Sequence, residues 1–142
     1  MIGLTLSGIR KGVEEPKDSS ISQQKLAFHK ALQNAQSLNI PFFIRQFKIQ
    51  SRPGCENGLG WVARRDPGDC SGWLECYNMN CQKNAYEAFF DVFHSNQTNY
   101  KGVFLWIYRI EQSSGGTCDN DYTFAYKPAE KVVQSIFLQE KN

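Results

Sequence analysis

The segment KGVFLWIYRI, residues 101–110, is a dense run of aromatic and β-branched side chains. Within it, the stretch GVFLWIY is almost continuously hydrophobic instead of alternating between apolar and polar residues. A strand that is buried on both faces has this pattern, and parallel strands covered by helices are strands of that kind. The segment therefore predicts a strand of a parallel sheet within an α/β fold.

The segments before and after this strand alternate between strand and helix patterns. Apolar spacing predicts two more strands and three helices, the last of which opens at a proline in the favoured first-turn position. In chain order we expect a strand at Ile2–Leu6, a helix at about 22–38, a strand at 42–49, a helix at 80–96, the strand at 101–110 and a helix at 128–140. This order predicts parallel strands joined by right-handed crossover helices. Three such strands form either a small open sheet or part of a larger one.

Length and composition are those of one globular domain. The chain has 142 residues, of which 41% are hydrophobic and 21% charged, and we expect a single domain over residues 1–142. A formal net charge of +2 and the lack of a long Lys/Arg run argue against nucleic acid as a partner. No apolar stretch approaches the ~18 residues of a membrane span, so we expect none.

The sequence predicts a long loop at about residues 51–80 that is tied by disulfides. The loop is rich in Gly, Pro, Asp and Asn, and a compact domain seldom contains so long a segment without regular structure. We expect at least one disulfide among the first four of the five cysteines, which are Cys55, Cys70, Cys76, Cys81 and Cys118. Their spacing, C-x14-C-x5-C-x4-C, lacks the C-x2-C pair of zinc ribbons. We therefore expect neither a metal nor a cofactor.

Two features of the sequence favour an oxidising compartment. One is the clustering of the cysteines, and the other is the tripeptide NQT, a glycosylation sequon at Asn96. The expected localisation is secreted or lumenal, and no signal peptide is visible in the chain. Because the number of cysteines is odd, one thiol is unpaired or bonded outside the chain.

The second strand, FFIRQFKI, carries polar side chains within its apolar run. A buried cation without a partner is costly, so Arg45 and Lys48 need carboxylate partners, positions at the end of the strand, or a surface that is missing. Strict alternation would give each face of the strand one cation, with Phe42, Ile44, Gln46 and Lys48 on one side and Phe43, Arg45, Phe47 and Ile49 on the other.

The last strand and the segment GGTCDNDYTFAYKPAEKVV, residues 115–133, together carry a motif. Its members are Gly102, Val103, Phe104 and Trp106 in the strand and Asp119, Asp121, Tyr122, Thr123, Lys127, Pro128 and Ala129 after it. They resemble the G-V-[FY]-x-W-x-W strand and the D-x-[DN]-Y-[TS]-P-x-x-K-P-A motif at the end of the family 113 glycoside hydrolases, with Tyr108 and Phe124 as departures. The segments QKNAYEAFF and IGLTLS also resemble a helix start and a strand start of that family.

Members of this family are (β/α)8 barrels, retaining glycosidases that act on β-mannan-type polysaccharides. The resemblance implies that the chain is equivalent to the last three β/α units of such a TIM barrel, strands six to eight. The first and third strands would then be open edges of a sheet. We therefore expect a protein partner or a second copy of the chain to cover them.

The resemblance also places an amide where the family has its nucleophile. The family's seventh strand reads K-P-[IV]-x-[FL]-[TS]-E-x-G-[YF]-x-S, and on IPFFIRQFKIQS this puts Arg45 at the Thr, Gln46 at the nucleophilic Glu and Lys48 at the Gly. Retaining hydrolysis needs two carboxylates about 5–5.5 Å apart. The second one, the general acid, belongs to the fourth strand of the barrel, which these residues do not include. The resemblance thus implies a degenerate catalytic site at Gln46.

Three functions are compatible with these observations. We expect a non-catalytic glycoside-hydrolase-like module that binds a glycan or serves in an assembly. The alternatives are a fragment of an active retaining β-glycosidase completed by other segments, and a purely structural protein, in which the former active-site face packs against partners. Read without the resemblance, Gln46 is an ordinary strand residue and Trp106 a core aromatic. The candidate residues for binding a glycan are Trp61, Arg64 and Trp73 in the long loop, and Trp106 and Asp121.

Overall fold

A computed structural model describes residues 1–7, 21–51, 55, 78–95, 98–111, 115–116 and 119–139. Strands and helices alternate among these residues, as the sequence predicts. The elements are β1 (Ile2–Ser7), α1 (Ile21–Gln36), β2 (Phe42–Lys48), α2 (Met79–His94), β3 (Tyr100–Leu105) and α3 (Pro128–Gln139). None of these helices has both the length and the apolar character needed to cross a membrane.

The three strands form one parallel sheet in the sequential order β1-β2-β3. All three helices contribute to a single core that packs on one face of this sheet. A doubly wound sheet would instead place helices on both faces and reverse its strand order at a switch point. Sequential parallel strands with helices on one side are the arrangement of a segment of a β/α barrel wall.

The core is built around aromatic rings from α1, β2 and α2. Phe47 of β2 stacks on Phe89 of α2 with ring centroids 4.2 Å apart, and Phe28 of α1 meets both rings edge-on. Phe93, one turn after Phe89, stacks on it at 4.7 Å. All four side chains are completely or almost completely buried, and each buried aromatic ring of this size removes a large apolar area from water. These contacts hold the two helices against the middle strand.

A β-bulge in β2 contradicts the strict alternation expected for this strand. Ile44 pairs with Leu4 and Gln46 pairs with Thr5, so Arg45 is an extra residue with no partner position on β1. An extra residue reverses the side on which every later side chain lies. The buried side chains that face the helices are therefore Phe42 and Ile44 before the bulge and Phe47 and Ile49 after it, whereas Gln46 and Lys48 lie on the other face.

The strand predicted at 101–110 is shorter than expected, because β3 ends at Leu105. The expectation that it is buried on both faces is also wrong for the described part of the chain. Its helix-facing residues Val103 and Leu105 pack on the core, but Phe104 and Trp106 are 65% and 47% exposed. Within the described residues, nothing lies opposite this inner face of the sheet.

The predicted disulfide is confirmed, since Cys55 is bonded to Cys81. This bond joins the start of the cysteine-rich loop to the first turn of α2, where the side chain of Asn78 accepts a hydrogen bond from the backbone N–H of Cys81 at 2.8 Å. Both half-cystines are buried. The other three cysteines, the glycosylation site at Asn96 and most of the loop lie outside the described residues.

We predict that the double variant Cys55→Ala/Cys81→Ala is less stable than the parent chain by roughly 3 kcal/mol, because the bond closes a loop between cysteines 26 positions apart. Denaturant unfolding under non-reducing conditions measures the difference. As the matched control, parent and variant are both unfolded with a reductant present. Their stabilities should then be close, because neither contains the Cys55–Cys81 bond. Equal stability of parent and variant without reductant contradicts the prediction.

We also expect the isolated chain to associate. The inner face exposes Phe104 and Trp106, and each large apolar side chain that is covered gains about 1.5–3 kcal/mol. Sedimentation should show species larger than a monomer, and Phe104→Gln should shift them towards the monomer. Leu26→Gln, at a 73% exposed position on α1, is the control and should leave association unchanged. A monodisperse, cooperatively melting monomer of the parent chain rules this expectation out.

Candidate functional site

An open cavity of about 240 Å³ lies on the inner face of the sheet, where β2 and β3 end. Its lining residues are Arg45, Gln46, Phe104, Leu105 and Trp106. Parallel strands present their carboxyl ends at one edge of the sheet, and β/α barrels build their active sites at that edge. The cavity therefore occupies the position at which a barrel of this kind performs its chemistry.

The bulge in β2 is what brings Gln46 into the cavity. If Arg45 were paired as a regular strand residue instead of being bulged, the side chain of Gln46 would lie on the same face as Ile44 and enter the core. In the structure Gln46 is half-buried, and its neighbours Ile44 and Phe47 are fully buried on the helix side. A primary amide at this position can donate and accept hydrogen bonds, but it carries no charge.

Trp106 is fixed beside Gln46 by the backbone. Its N–H donates a hydrogen bond to the carbonyl of Phe47 at 2.8 Å, so the end of β3 stays attached to β2 one residue beyond the strand. The peptide bond between Trp106 and Ile107 is cis. Because its side chain is 47% exposed and lines the cavity, Trp106 is not a core aromatic within the described structure.

Both cations of β2 lie on the inner face, contrary to the expectation of one on each face. Arg45 is exposed and lines the cavity, whereas Lys48 is half-buried. The Nζ atom of Lys48 lies over the ring of Tyr122 at 5.6 Å from its centroid, which is the range of a cation–π interaction. Tyr122 belongs to the segment between β3 and α3, so this contact connects the end of β2 to that segment.

A buried ion pair fixes the segment between β3 and α3. Lys127 Nζ lies 3.6 Å from Asp119 Oδ1, and neither side chain is exposed. The same ammonium donates hydrogen bonds to Ser51 Oγ at 2.8 Å and to the carbonyl of Asp121 at 3.1 Å. Ser51 Oγ in turn donates to the carbonyl of Asp119 at 2.6 Å. This group of four residues, the Lys127 cluster, ties the chain beyond β2 to the chain beyond β3.

The carboxylate of Asp119 also shapes the glycine-rich turn. It accepts hydrogen bonds from the N–H of Gly115 at 2.6 Å and from the N–H of Asp121 at 2.7 Å. Gly115 has a φ of +90°, and a Cβ at this position would lie 2.1 Å from the carbonyl oxygen of Ala125. A side chain cannot fit there, so the turn requires glycine.

Asp121 has structural contacts of its own. Its Oδ1 accepts a hydrogen bond from the N–H of Tyr122 at 2.7 Å, and its Oδ2 lies 3.4 Å from a guanidinium nitrogen of Arg109. It does not line the cavity that contains Gln46 and Trp106. The structure therefore does not bring Asp121, a predicted glycan-binding residue, into this cavity.

Glu130 attaches the segment after β3 to the first turn of α3. Its carboxylate accepts hydrogen bonds from the hydroxyl of Tyr108 and from the backbone N–H of Tyr126, both at 2.8 Å. The bond with Glu130 raises the pKa of the Tyr108 hydroxyl above its usual value. Glu130 lies in the first turn of α3, where a negative charge is favourable.

Gln82 connects α2 to both loops. Its Nε2 donates to the carbonyl of Ile49 at 2.8 Å and lies 3.3 to 3.4 Å from the carbonyls of Thr123 and Tyr122. The side chain is fully buried at the start of α2. It thus connects α2 to the end of β2 and to the segment before α3. On the same helix, burial raises the pKa of the Tyr86 hydroxyl.

Of the predicted site residues, the structure brings Gln46 and Trp106 together. The loop candidates Trp61, Arg64 and Trp73 lie outside the described residues. In the described ranges, no group of three or more His, Cys, Asp or Glu side chains could hold a metal ion. Sequence reasoning missed Phe104 as part of the cavity, although its position two residues before Trp106 on one strand is the signal that places both on one face.

Nearly the whole chain superposes on part of a barrel enzyme. Its fold is that of part of a family 113 glycoside hydrolase. Two structures of GH113 β-1,4-mannanases, one of them a complex, are each 18% identical to this chain, cover 96% and 97% of it, and have a TM-score of 0.57. The GH113 β-mannanase AaManA from Alicyclobacillus acidocaldarius, in complex with ManMIm, is 22% identical, covers 96% of the chain and has a TM-score of 0.58.

The chain spans only 38 to 39% of the length of these GH113 enzymes. No protein-family model and no curated protein matches the sequence. At 18 to 22% identity the likeness shows the fold alone, and at that level it confirms the GH113 resemblance found in the sequence. It also confirms the α/β class, with parallel strands and helices arranged as in a fragment of a TIM barrel.

We predict that breaking the buried ion pair from one side destabilises the chain strongly. Lys127→Met leaves Asp119 buried without its cation, and a loss of about 3–5 kcal/mol in the free energy of unfolding is expected. The double variant Lys127→Met/Asp119→Asn should recover part of this loss, because no buried charge remains. Denaturant unfolding measures both.

Lys131→Met, at an exposed position near the start of α3, is the matched control and should change stability by less than about 0.5 kcal/mol. If Lys127→Met is as mild as this control, the ion pair does not stabilise the segment between β3 and α3.

Proposed function

We propose that this chain is a non-catalytic glycoside-hydrolase-like module, equivalent to the last three β/α units of a TIM barrel, that binds a glycan on the inner face of its sheet. One observation carries the proposal. The cavity at the carboxyl end of β2 contains the amide of Gln46, and no carboxylate is among the described residues that line it. The single domain over residues 1–142 is part of the same proposal.

The chemistry of an amide explains why catalysis is not expected. In retaining hydrolysis, a carboxylate attacks the anomeric carbon and forms a glycosyl ester, while a carboxylic acid protonates the leaving oxygen. Gln46 has no negative charge with which to attack. Its amide does retain one acceptor oxygen and an N–H₂ donor, which are the groups needed to bind sugar hydroxyls.

Trp106 supplies the second component of a glycan site. Sugar rings carry apolar C–H faces, and a half-exposed indole offers a flat apolar surface on which such a face can stack. Phe104, on the same side of β3, extends this surface. An amide next to exposed aromatic rings combines orientation by hydrogen bonds with burial of apolar area, as in small-ligand sites generally.

A secreted or lumenal location fits this proposal. The disulfide between Cys55 and Cys81 is a bond that persists in oxidising compartments. The sequon at Asn96 is compatible with the same compartment. Extracellular and lumenal spaces are also where polysaccharides and glycoproteins are available as ligands.

Assembly is the second candidate function, and the exposed inner face favours it. Phe104 and Trp106 are 65% and 47% exposed, and a protein partner or the other strands of a barrel could cover them. Even if another segment completed the barrel and supplied the general acid, the nucleophilic carboxylate would still be missing, because Gln46 is an amide. This makes an active, completed β-glycosidase the weaker alternative.

We predict that the purified chain does not hydrolyse β-mannan or its oligosaccharides. It should bind at least one glycan of a diverse panel, and Trp106→Ala should weaken that binding by roughly 1–3 kcal/mol, because a stacking surface is lost. Reducing-sugar release measures hydrolysis, and titration calorimetry measures binding.

Two control variants separate the outcomes. Trp106→Phe keeps an aromatic surface and should lose less affinity than Trp106→Ala, and Phe137→Ala, at a half-exposed position on α3, should lose none. Turnover that survives Gln46→Ala shows that the nucleophile has been placed on the wrong residue. If no glycan binds, assembly or a structural role replaces this proposal.

A further inference from the structure

The inner face near Gln46 has a one-sided charge distribution. Arg45 lines the cavity, and Lys48 follows Gln46 by two residues on the same face, roughly 6.6 Å further along the strand. None of the described residues that line the cavity carries a carboxylate, and the carboxylate of Asp121 contacts Arg109 and the N–H of Tyr122. The polar side chains among the described residues around this cavity are therefore cationic or neutral.

The position of Lys48 is constrained. Its ammonium group lies over the ring of Tyr122, and the segment containing Tyr122 is fixed by the buried Lys127 cluster. Within the described residues, no carboxylate lies within ion-pair distance of Lys48. A half-buried ammonium with only a ring beneath it keeps donors for a further partner.

Arg45 adds a second cation with a different geometry. Its position in the bulge places it on the exposed rim of the cavity. A guanidinium has several N–H donors in a planar fork, so it can keep an existing contact and still donate to an anion. The family 113 strand pattern has Thr, Glu and Gly at the positions of Arg45, Gln46 and Lys48. Each of the three differences makes this strand more positive by one charge.

We propose that the ligand of this site is an anionic glycan, one whose sugar units carry carboxylate or sulfate groups. This inference rests on the proposed glycan binding and specifies the class of sugar. A neutral polysaccharide would displace water from Lys48 and Arg45 but would offer no negative charge in its place, which is unfavourable. A uronate or a sulfated sugar would instead form charge-assisted hydrogen bonds with both cations while its ring stacks on Trp106.

The test compares three soluble probes of similar length on the full 142-residue chain. They are a β-linked polyuronate, a sulfated β-glycan and a neutral β-mannan, each titrated at low and at moderate salt concentration. We expect at least one anionic probe to bind about tenfold or more tightly than the neutral probe at low salt, and to lose this advantage as salt screens the charges. Preference for the polyuronate or for the sulfated probe identifies the anionic group.

Substitutions of the basic residues test whether the preference for anionic probes arises at this site. Lys48→Gln should weaken the anionic probe about tenfold, and it should not weaken the neutral probe, which gains nothing from the charge. Lys48→Arg keeps the charge and should preserve the preference, and it serves as the second variant if Lys48→Gln does not fold. Lys101→Gln removes an exposed cation near the amino end of β3 and is the matched control, which should behave like the parent.

Each remaining outcome decides the inference. If the neutral β-mannan binds as tightly as the anionic probes, the anionic class is wrong and the glycan-binding proposal stands. If poly-glutamate binds as tightly as the anionic glycans, and Trp106→Ala has no effect, the attraction is general and the inference is overturned. If none of the polysaccharides binds, the proposed function fails together with it.

Discussion

The single inserted residue at Arg45 determines both the core and the candidate site. Because β2 is the middle strand, its side chains face the helices on one side and the inner cavity on the other. The bulge lets Ile44 and Phe47 both enter the core, although they are separated by an odd number of positions. The same shift places Gln46 and Lys48 on the inner face. A regular strand with this sequence would turn an amide and a cation towards the helices, where burial without partners is unfavourable.

The Lys127 cluster connects the segment after β2 to the segment between β3 and α3. Ser51 follows β2, and Asp119 and Lys127 lie between β3 and α3, so the ion pair and its hydrogen bonds connect the chain beyond β2 to the segment before α3. Tyr122 lies between the two charged residues and is placed beneath Lys48 as a result. A buried charge pair is a poor source of net stability, but it is strongly selective for one geometry when all its donors are satisfied. The position of Lys48 thus depends on charges, those of Asp119 and Lys127, that do not line the cavity.

Sequence patterns were sufficient for the order of the elements but not for the faces of the sheet. Helical spacing and apolar runs placed all the described strands and helices, because burial dictates those periods. The bulge was not predictable, since FFIRQFKI fits a regular strand and the register depends on pairing with β1. The run in GVFLWIY predicted burial on both faces, yet Phe104 and Trp106 are exposed, because hydrophobicity does not reveal whether the covering wall is present. The roles of Ser51 and Lys127 were invisible for a similar reason, as their contact spans 76 residues.

A core on only one side of the sheet leaves the inner face open to two competing uses. The aromatic contacts of Phe28, Phe47 and Phe89 stabilise the helix side without any help from the inner side, so the fold does not need that face to be covered in order to have a core. A protein partner that covered Phe104 would also close the cavity containing Gln46, whereas a glycan on Trp106 would leave much of the apolar surface exposed. Binding of a glycan and association through this face are therefore mutually exclusive wherever they share Trp106. Ligand should then shift the chain towards smaller species by mass action, as any ligand favours the form that can bind it.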